Sequence, residues 1–168
     1  MKTVCLLLVG VVTGASALVC AYHIDPKTAA MSGKVSGNPS NGGVTQSVVC
    51  CWDTLVRVEL LAGAKGNGGV YTATVLDGGT PLVWSTGTQS QNESWVKFEN
   101  WSSQVAFTKG KLLTIQFTRG GNDSIQYYFQ EGNPYPYGEL STTSPHAGQD
   151  LAIRCYGHPR VGGQATAA

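Results

Sequence analysis

Along "KLLTIQFTR", residues 111–119, apolar and polar side chains change places at almost every step. Leu113, Ile115 and Phe117 fall on one side, with Thr114, Gln116 and Thr118 on the other. A strand points successive side chains to opposite faces, whereas a helix repeats every ~3.6 residues. Runs of this kind can each bury one face and wet the other only by stacking sheets.

The same period recurs down the chain. "TLVRVELLAG" sets Val56, Val58 and Leu60 against Arg57 and Glu59, and "GVYTATVLD" sets Tyr71, Ala73 and Val75 against Thr72 and Thr74. "ESWVKFE" buries Val96 and Phe98 and exposes Trp95, Lys97 and Glu99, while "QVAFTKG" buries Val105 and Phe107. "SIQYYFQ" buries Ile125, Tyr127 and Phe129 and exposes Gln126, Tyr128 and Gln130. "DLAIRCY" buries Leu151, Ile153 and Cys155 and exposes Arg154 and Tyr156. No stretch keeps a helical period. The expectation is an all-β, antiparallel sandwich of about 8–10 strands.

Two connections carry turn chemistry. Lys109-Gly110 reads as a tight turn. "TRGGND" reads as a hairpin pairing Thr118 with Ser124, which would place Gln116 opposite Gln126 and Thr114 opposite Tyr128 on the outer surface. Ile115–Tyr127 and Phe117–Ile125 would then pair inside.

The first residues, "MKTVCLLLVGVVTGASALVCA", have one lysine, a short apolar run and the small-x-small triplet Ala15-Ser16-Ala17. That is the form of a secretory signal peptide over 1–17. The run is too short and glycine-interrupted for a membrane span of ~20 residues. Secretion fits the cysteines. Cys5 leaves with the leader, and Cys20, Cys50, Cys51 and Cys155 form an even set for an oxidising compartment. Neighbouring cysteines strain the ring they would close, so Cys50 and Cys51 are each expected to bond one of Cys20 and Cys155. Residues 25–43 are small, polar and rich in Gly and Pro, giving an arm over 18–43, a sandwich over 44–157 and a loose tail over 158–168.

Charged residues make up 12% of the chain and the net charge is +1. No field of one sign exists to attract nucleic acid or an anionic membrane. His23, His146 and His158 fall in the arm, a loop and the tail, and no nucleophile-elbow, zincin or phosphate-loop pattern occurs. The glutamates at 59, 93 and 99 and Asp77 read as solvated charges rather than a glycosidase pair. The chain is expected to have no catalytic activity.

The order of a "QS" strand, "VRVEL", a Trp-x-x-Phe strand before "VAFTKGKLLTIQFTR", the "YPYG" loop and a closing "DLAIRCYG" resembles a known family. It is similar to the galactose-binding-like or carbohydrate-binding-module-like jelly-roll domains of secreted bacterial proteins, over residues 44–157. The resemblance implies a jelly-roll sandwich, glycan binding in some members, and a structural calcium near the ends of the terminal strands. By that resemblance Asp150 is the carboxylate ligand, ahead of Asp53; no cofactor is otherwise required. The paired cysteines depart from the common pattern.

Sugar binding needs an aromatic face for C–H groups and forked polar groups for hydroxyls. The outward positions offer Trp95, Tyr128 and Tyr156 with Gln116, Gln126 and Arg154, and the "NPYPYG" loop offers Tyr135 and Tyr137. Pro134 and Pro136 stiffen that loop into an aromatic flap over one sandwich edge. The expected function is a secreted, extracellular module that binds a glycan or surface polysaccharide. The competing class is a structural or adhesive assembly protein whose arm binds other copies. Asn92, Asn100 and Asn122 head glycosylation sequons.

Overall fold

β-Branched and aromatic residues supply the strands, and Gly-, Asn- and Asp-rich steps end them. The computed structural model describes residues 19–23, 31–36, 43–63, 69–89, 92–120, 124–132, 135, 137–142, 145–146 and 148–158. The leader, Asn122, Pro134, Pro136, the tail beyond His158 and the Cys20 side chain lie outside the described residues.

Among the described residues thirteen strands, all paired antiparallel, form two sheets, and there is no helix. One sheet has seven strands: β1 (Val19–His23), β2 (Met31–Ser36), β4 (Thr54–Ala62), β7 (Ser94–Phe98), β9 (Ser124–Glu131), β12 (Gln149–Leu151) and β13 (Ile153–His158). Its path runs β1-β13-β4-β9-β12, with β7 beside β4 and β2 beside β9. The other has six: β3 (Val44–Val49), β5 (Gly69–Asp77), β6 (Thr80–Gln89), β8 (Leu112–Arg119), β10 (Leu140–Ser141) and β11 (Pro145–His146). Its order is β11-β10-β3-β8-β5-β6. The chain changes sheet between β2 and β3, β3 and β4, β4 and β5, β6 and β7, β7 and β8, β8 and β9, β9 and β10, and β11 and β12. This switching is that of a jelly-roll sandwich. The strands that the alternation did not mark are β1, β2 and the short β10 and β11, and the expected closing strand "DLAIRCY" is broken at Ala152 into β12 and β13.

The alternation is real. Tyr71, Ala73 and Val75 are buried, as are Leu113, Ile115 and Phe117, and Ile125, Tyr127 and Phe129. Phe98 of one sheet meets Phe117 of the other with ring centroids 5.5 Å apart. Each such side chain contributes roughly 1.5–3 kcal/mol when fully withdrawn from water. Between β5 and β6 the loop Gly78-Gly79 has φ of 55° and 88° at its two central residues. Only a primed two-residue turn needs both in the left-handed region, and it matches the strand twist.

Several expectations are corrected. "TRGGND" is not a hairpin: β8 lies in the six-stranded sheet and β9 in the seven-stranded one. Gln116 stands opposite Thr45 and Thr74, whereas Gln126 stands opposite Lys34. Thr118 and Arg119 are drawn inside, and the next described strand belongs to the opposite sheet, ~10 Å away in a stacked pair. A Gly-Gly-Asn-Asp step serves an inter-sheet arch as readily as a hairpin.

The arm is not linker throughout. β1 pairs with β13 and β2 with β9 of the same chain. The last strand extends one residue into the expected tail, with His158 opposite Thr54. The segment around Val105 is irregular rather than a strand, although Phe107 is buried as expected. The Lys109-Gly110 turn is present. Finally, the expected bridge from Cys155 to Cys50 or Cys51 is not formed; no disulfide joins these three described cysteines. The Cys50 sulfur instead lies 2.9 Å from the Trp52 carbonyl, and burial pushes its thiol pKa up.

Candidate functional site

The outward face of the seven-stranded sheet collects most of the charged and aromatic groups predicted to meet a ligand. β4 runs between β13 and β7, so Glu59 stands opposite Arg154 on one side and Lys97 on the other. Arg57 stands opposite Tyr156, and Leu61 opposite Trp95. Strand pleating points these positions the same way.

Glu59 corrects the sequence reading. Expected in solvent, it is only 3% exposed. Arg57 Nε lies 3.1 Å from Glu59 Oε1, and Arg154 Nη1 lies 3.3 Å from Glu59 Oε2. The Tyr156 hydroxyl donates weakly to the same oxygen at 3.4 Å. Two guanidiniums and a phenol therefore roof the carboxylate and replace the water it has lost. Arg57 also reaches Glu99 at 3.2 Å. Burial acts to lower the Arg57 pKa, but the hydrogen bond to Glu99, the charge of Glu59 and the contact with Tyr156 together hold it above the usual value.

The same guanidiniums stack on aromatic rings. Arg154 lies 3.8 Å from the centroid of Trp95, and Arg57 lies 4.3 Å from that of Tyr156. Stacking holds the side chains by electrostatic attraction to the ring faces. On the neighbouring strand, the Tyr128 hydroxyl donates to Glu93 at 2.6 Å. That bond, ahead of burial, raises the Tyr128 pKa, because ionising the phenol would break it against a carboxylate. Gln126 flanks Gly63, whose amide donates to the Gln126 carbonyl.

Trp95, Tyr128, Gln126 and Arg154 thus share one sheet face, as does Tyr156. Gln116 does not join them; it sits on the outward face of the six-stranded sheet among Thr45, Thr74 and Thr114. Tyr135 and Tyr137 are also separate from the face, and they divide the work of the flap. Tyr135 packs down: its amide donates to Asp150 Oδ2 at 2.9 Å, and its hydroxyl accepts from the Val49 amide at 2.7 Å. Burial raises its pKa. Tyr137 remains 67% exposed, edge-on to Tyr135 with centroids 5.8 Å apart. Gly138 closes this loop onto β3, where any Cβ would collide with the Ser47 carbonyl.

Asp150 is fully buried and anchors the flap to both sheets. Its Oδ1 accepts from Gln46 Nε2 at 2.8 Å, and Gln46 Oε1 accepts from the Leu151 amide at 2.8 Å. Gln46 belongs to β3 and Asp150 to β12, so this circuit joins the two sheets. Calcium takes ~6–8 oxygens, yet both Asp150 oxygens face hydrogen-bond donors. Among the described residues no group of three His, Cys, Asp or Glu is placed to hold a metal. The Asp150 surroundings do not fit a calcium site. Asp53 serves through its backbone, donating to the His158 carbonyl and accepting from the Phe107 amide.

The sequence reading missed the roles of Arg57, Glu59, Glu93 and Glu99. The alternation of β4 and β7 put three of these on an outward face; what was missing was the strand order β13-β4-β7 that brings their charges together. Glu93 precedes its strand, and no local pattern marks it. No protein-family model matches the chain, and no curated protein matches it.

Proposed function

We propose that the chain is a secreted, non-catalytic module that binds a glycan across the outward face of its seven-stranded sheet. One observation carries this reading: three rings from three strands, Trp95, Tyr128 and Tyr156, share a face with two guanidiniums held by a buried carboxylate. Aromatic surface suits the C–H patches of a pyranose, and fixed Arg, Gln and Glu groups suit its hydroxyls. Holding the polar groups in place beforehand lowers the ordering cost of binding. The signal-type leader over 1–17 supports an extracellular setting. Glu59 locked between two arginines suits a scaffold rather than a proton-transfer role. Calcium has no part in the proposal.

The test is a glycan array probed with the mature chain, repeated with Trp95→Ala and Tyr128→Ala. Wild type should retain a defined set of glycans, and both variants should lose them while keeping the wild-type far-UV spectrum. An array with no retained glycan overturns the reading.

A further inference from the structure

A cleft of about 310 Å³ is walled by the start of β4, the end of β13, the 99–107 loop and Val83 of β6 from the other sheet. Its volume is at the lower end of the ~300–1,000 Å³ usual for small-ligand sites. Trp101 and Phe107 supply aromatic surface, and Glu99, Ser103, Gln104 and His158 supply polar groups.

The loop that shapes it is pinned at both ends. The Trp101 indole N–H donates to the Val56 carbonyl at 3.1 Å. Ser102 clamps the edge of β6, its amide donating to the Trp84 carbonyl at 2.8 Å and its hydroxyl accepting from the Trp84 amide at 3.0 Å. At the far end, the Phe107 amide donates to the Asp53 carbonyl at 2.9 Å. A cleft framed by such bonds is formed before any ligand arrives.

The polar side chains of Glu99, Ser103 and Gln104 stand exposed around it, where hydroxyls of a ligand can exchange water for them. Glu99 ties the cleft to the proposed binding face. Glu99 lines the cleft and pairs with Arg57, and Arg57 stacks on Tyr156.

We propose that this cleft is a terminal-sugar subsite. It receives the end ring of a chain whose body crosses the face that carries Trp95 and Tyr156, setting it against the aromatic surface of the cleft and meeting its hydroxyls with Glu99 and Gln104. This inference rests on the glycan reading above. It implies selection for chain ends over chain interiors.

The experiment uses the 15N-labelled full mature chain, titrated separately with D-glucose, D-galactose, D-mannose, D-xylose and N-acetyl-D-glucosamine, and then with any oligosaccharide retained on the array. At least one free monosaccharide should move the Trp101 indole signal in wild type. Ser103→Tyr, which puts a ring in the mouth of the cleft from an exposed position, should weaken that binding at least tenfold. A Trp101 signal unmoved by every monosaccharide, while the Trp95 signal responds to oligosaccharide, overturns the subsite and leaves the binding face standing. Silence at both indoles overturns the two together. A Trp101 shift that Ser103→Tyr leaves unchanged also overturns the subsite, because it places the sugar elsewhere.

Discussion

The two outward sheet faces obey the same two-residue period and end in opposite chemistry. On the seven-stranded sheet, Arg57, Glu59, Lys97 and Arg154 stand among Trp95, Tyr128 and Tyr156. On the six-stranded sheet, the outward positions of β3, β5, β6 and β8 are Thr, Ser, Gln and aliphatic residues with exposed Trp84, and none is charged. The ion pair Lys111–Asp77 lies only at its tip, beside the β5–β6 turn. Alternation decides which side chains face out. It says nothing of whether they then interact. On one face, charges of both signs and rings two strands apart lock into a network. On the other, short hydroxyl side chains cannot reach across strands in the same way.

The sharpest way to break this contrast is Glu59→Ala. It leaves two guanidiniums facing each other over an emptied site. Removing one member of a buried ion pair costs ~3–5 kcal/mol. Arg57 and Arg154 keep about a quarter of their side-chain surface in water, which places the expected loss at about 3 kcal/mol, near the low end of that range. Urea unfolding of wild type and variant measures it. A loss under about 1 kcal/mol, the range of exposed pairs, would show that the network is a surface decoration and that the two faces differ in composition alone.

Asp150→Asn probes the joint between the faces rather than either one. Both carboxylate oxygens accept, from Gln46 and from the Tyr135 amide. An amide group can present an acceptor to only one of them and must turn a donor on the other. Turning Gln46 over would break its bond from Leu151. The expected loss is about 2 kcal/mol, within the ~1–3 kcal/mol for an unsatisfied buried group. The effect also depends on pH. Burial, joined by the charge of Glu139, raises the Asp150 pKa against the hydrogen bonds from Tyr135 and Gln46, which lower it, and the balance is upward. The folded chain therefore holds this proton more tightly than the unfolded chain does. That stabilisation is complete below the unfolded carboxylate pKa and is lost as pH rises through the folded one. The gap between wild type and Asp150→Asn should widen as the pH falls from neutral, and a gap constant with pH would contradict the assigned shift.

How much of this was legible beforehand differs by length scale. Tyr71, Ala73 and Val75 were placed inside by their own neighbours, because pleating is local. The sheet partners were not. "TRGGND" carries turn residues, and nothing within six residues distinguishes a hairpin from an arch between sheets. That single ambiguity moved Gln116 away from Gln126. Glu59 was misread for a related reason: its burial depends on Arg154, ninety-five positions away, and on a strand order that no short segment encodes. β2 was missed because "MSGKVS" lacks a clean period, and its pairing with β9 supplies what its own sequence does not. Tyr135 and Tyr137 were expected together in one aromatic flap. Only their contacts with Val49 and Asp150 show which ring packs and which stays wet.

Trp95→Ala sharpens the contrast on the charged side. It removes the ring beneath Arg154 but leaves Glu59 paired. A stacked cation contributes ~0.5–2 kcal/mol, so stability should fall by about 1 kcal/mol, well short of the Glu59 variant. Glycan retention should be lost altogether. A large stability loss without loss of retention would assign the Trp95–Arg154 stack to folding and remove it from the binding face.

The smallest expected effect is the most discriminating. Thr74 sits near the centre of the neutral face, opposite Gln116 on one strand and Trp84 on the other. Thr74→Lys introduces a charge where none stands, with its ammonium free to reach water from a half-buried stem. Surface substitutions away from packed networks usually change stability by no more than ~0.5 kcal/mol, and lysine's weaker fit to a strand adds only a fraction to that. Chemical unfolding should detect little. Retention on the array should match wild type, because the whole thickness of the sandwich separates this position from Trp95. If Thr74→Lys instead abolished retention while the fold stayed intact, the ligand would lie on the threonine-lined sheet. Trp84 would then be its stacking ring, and the arginine-bridged network opposite would be left with a purely structural role.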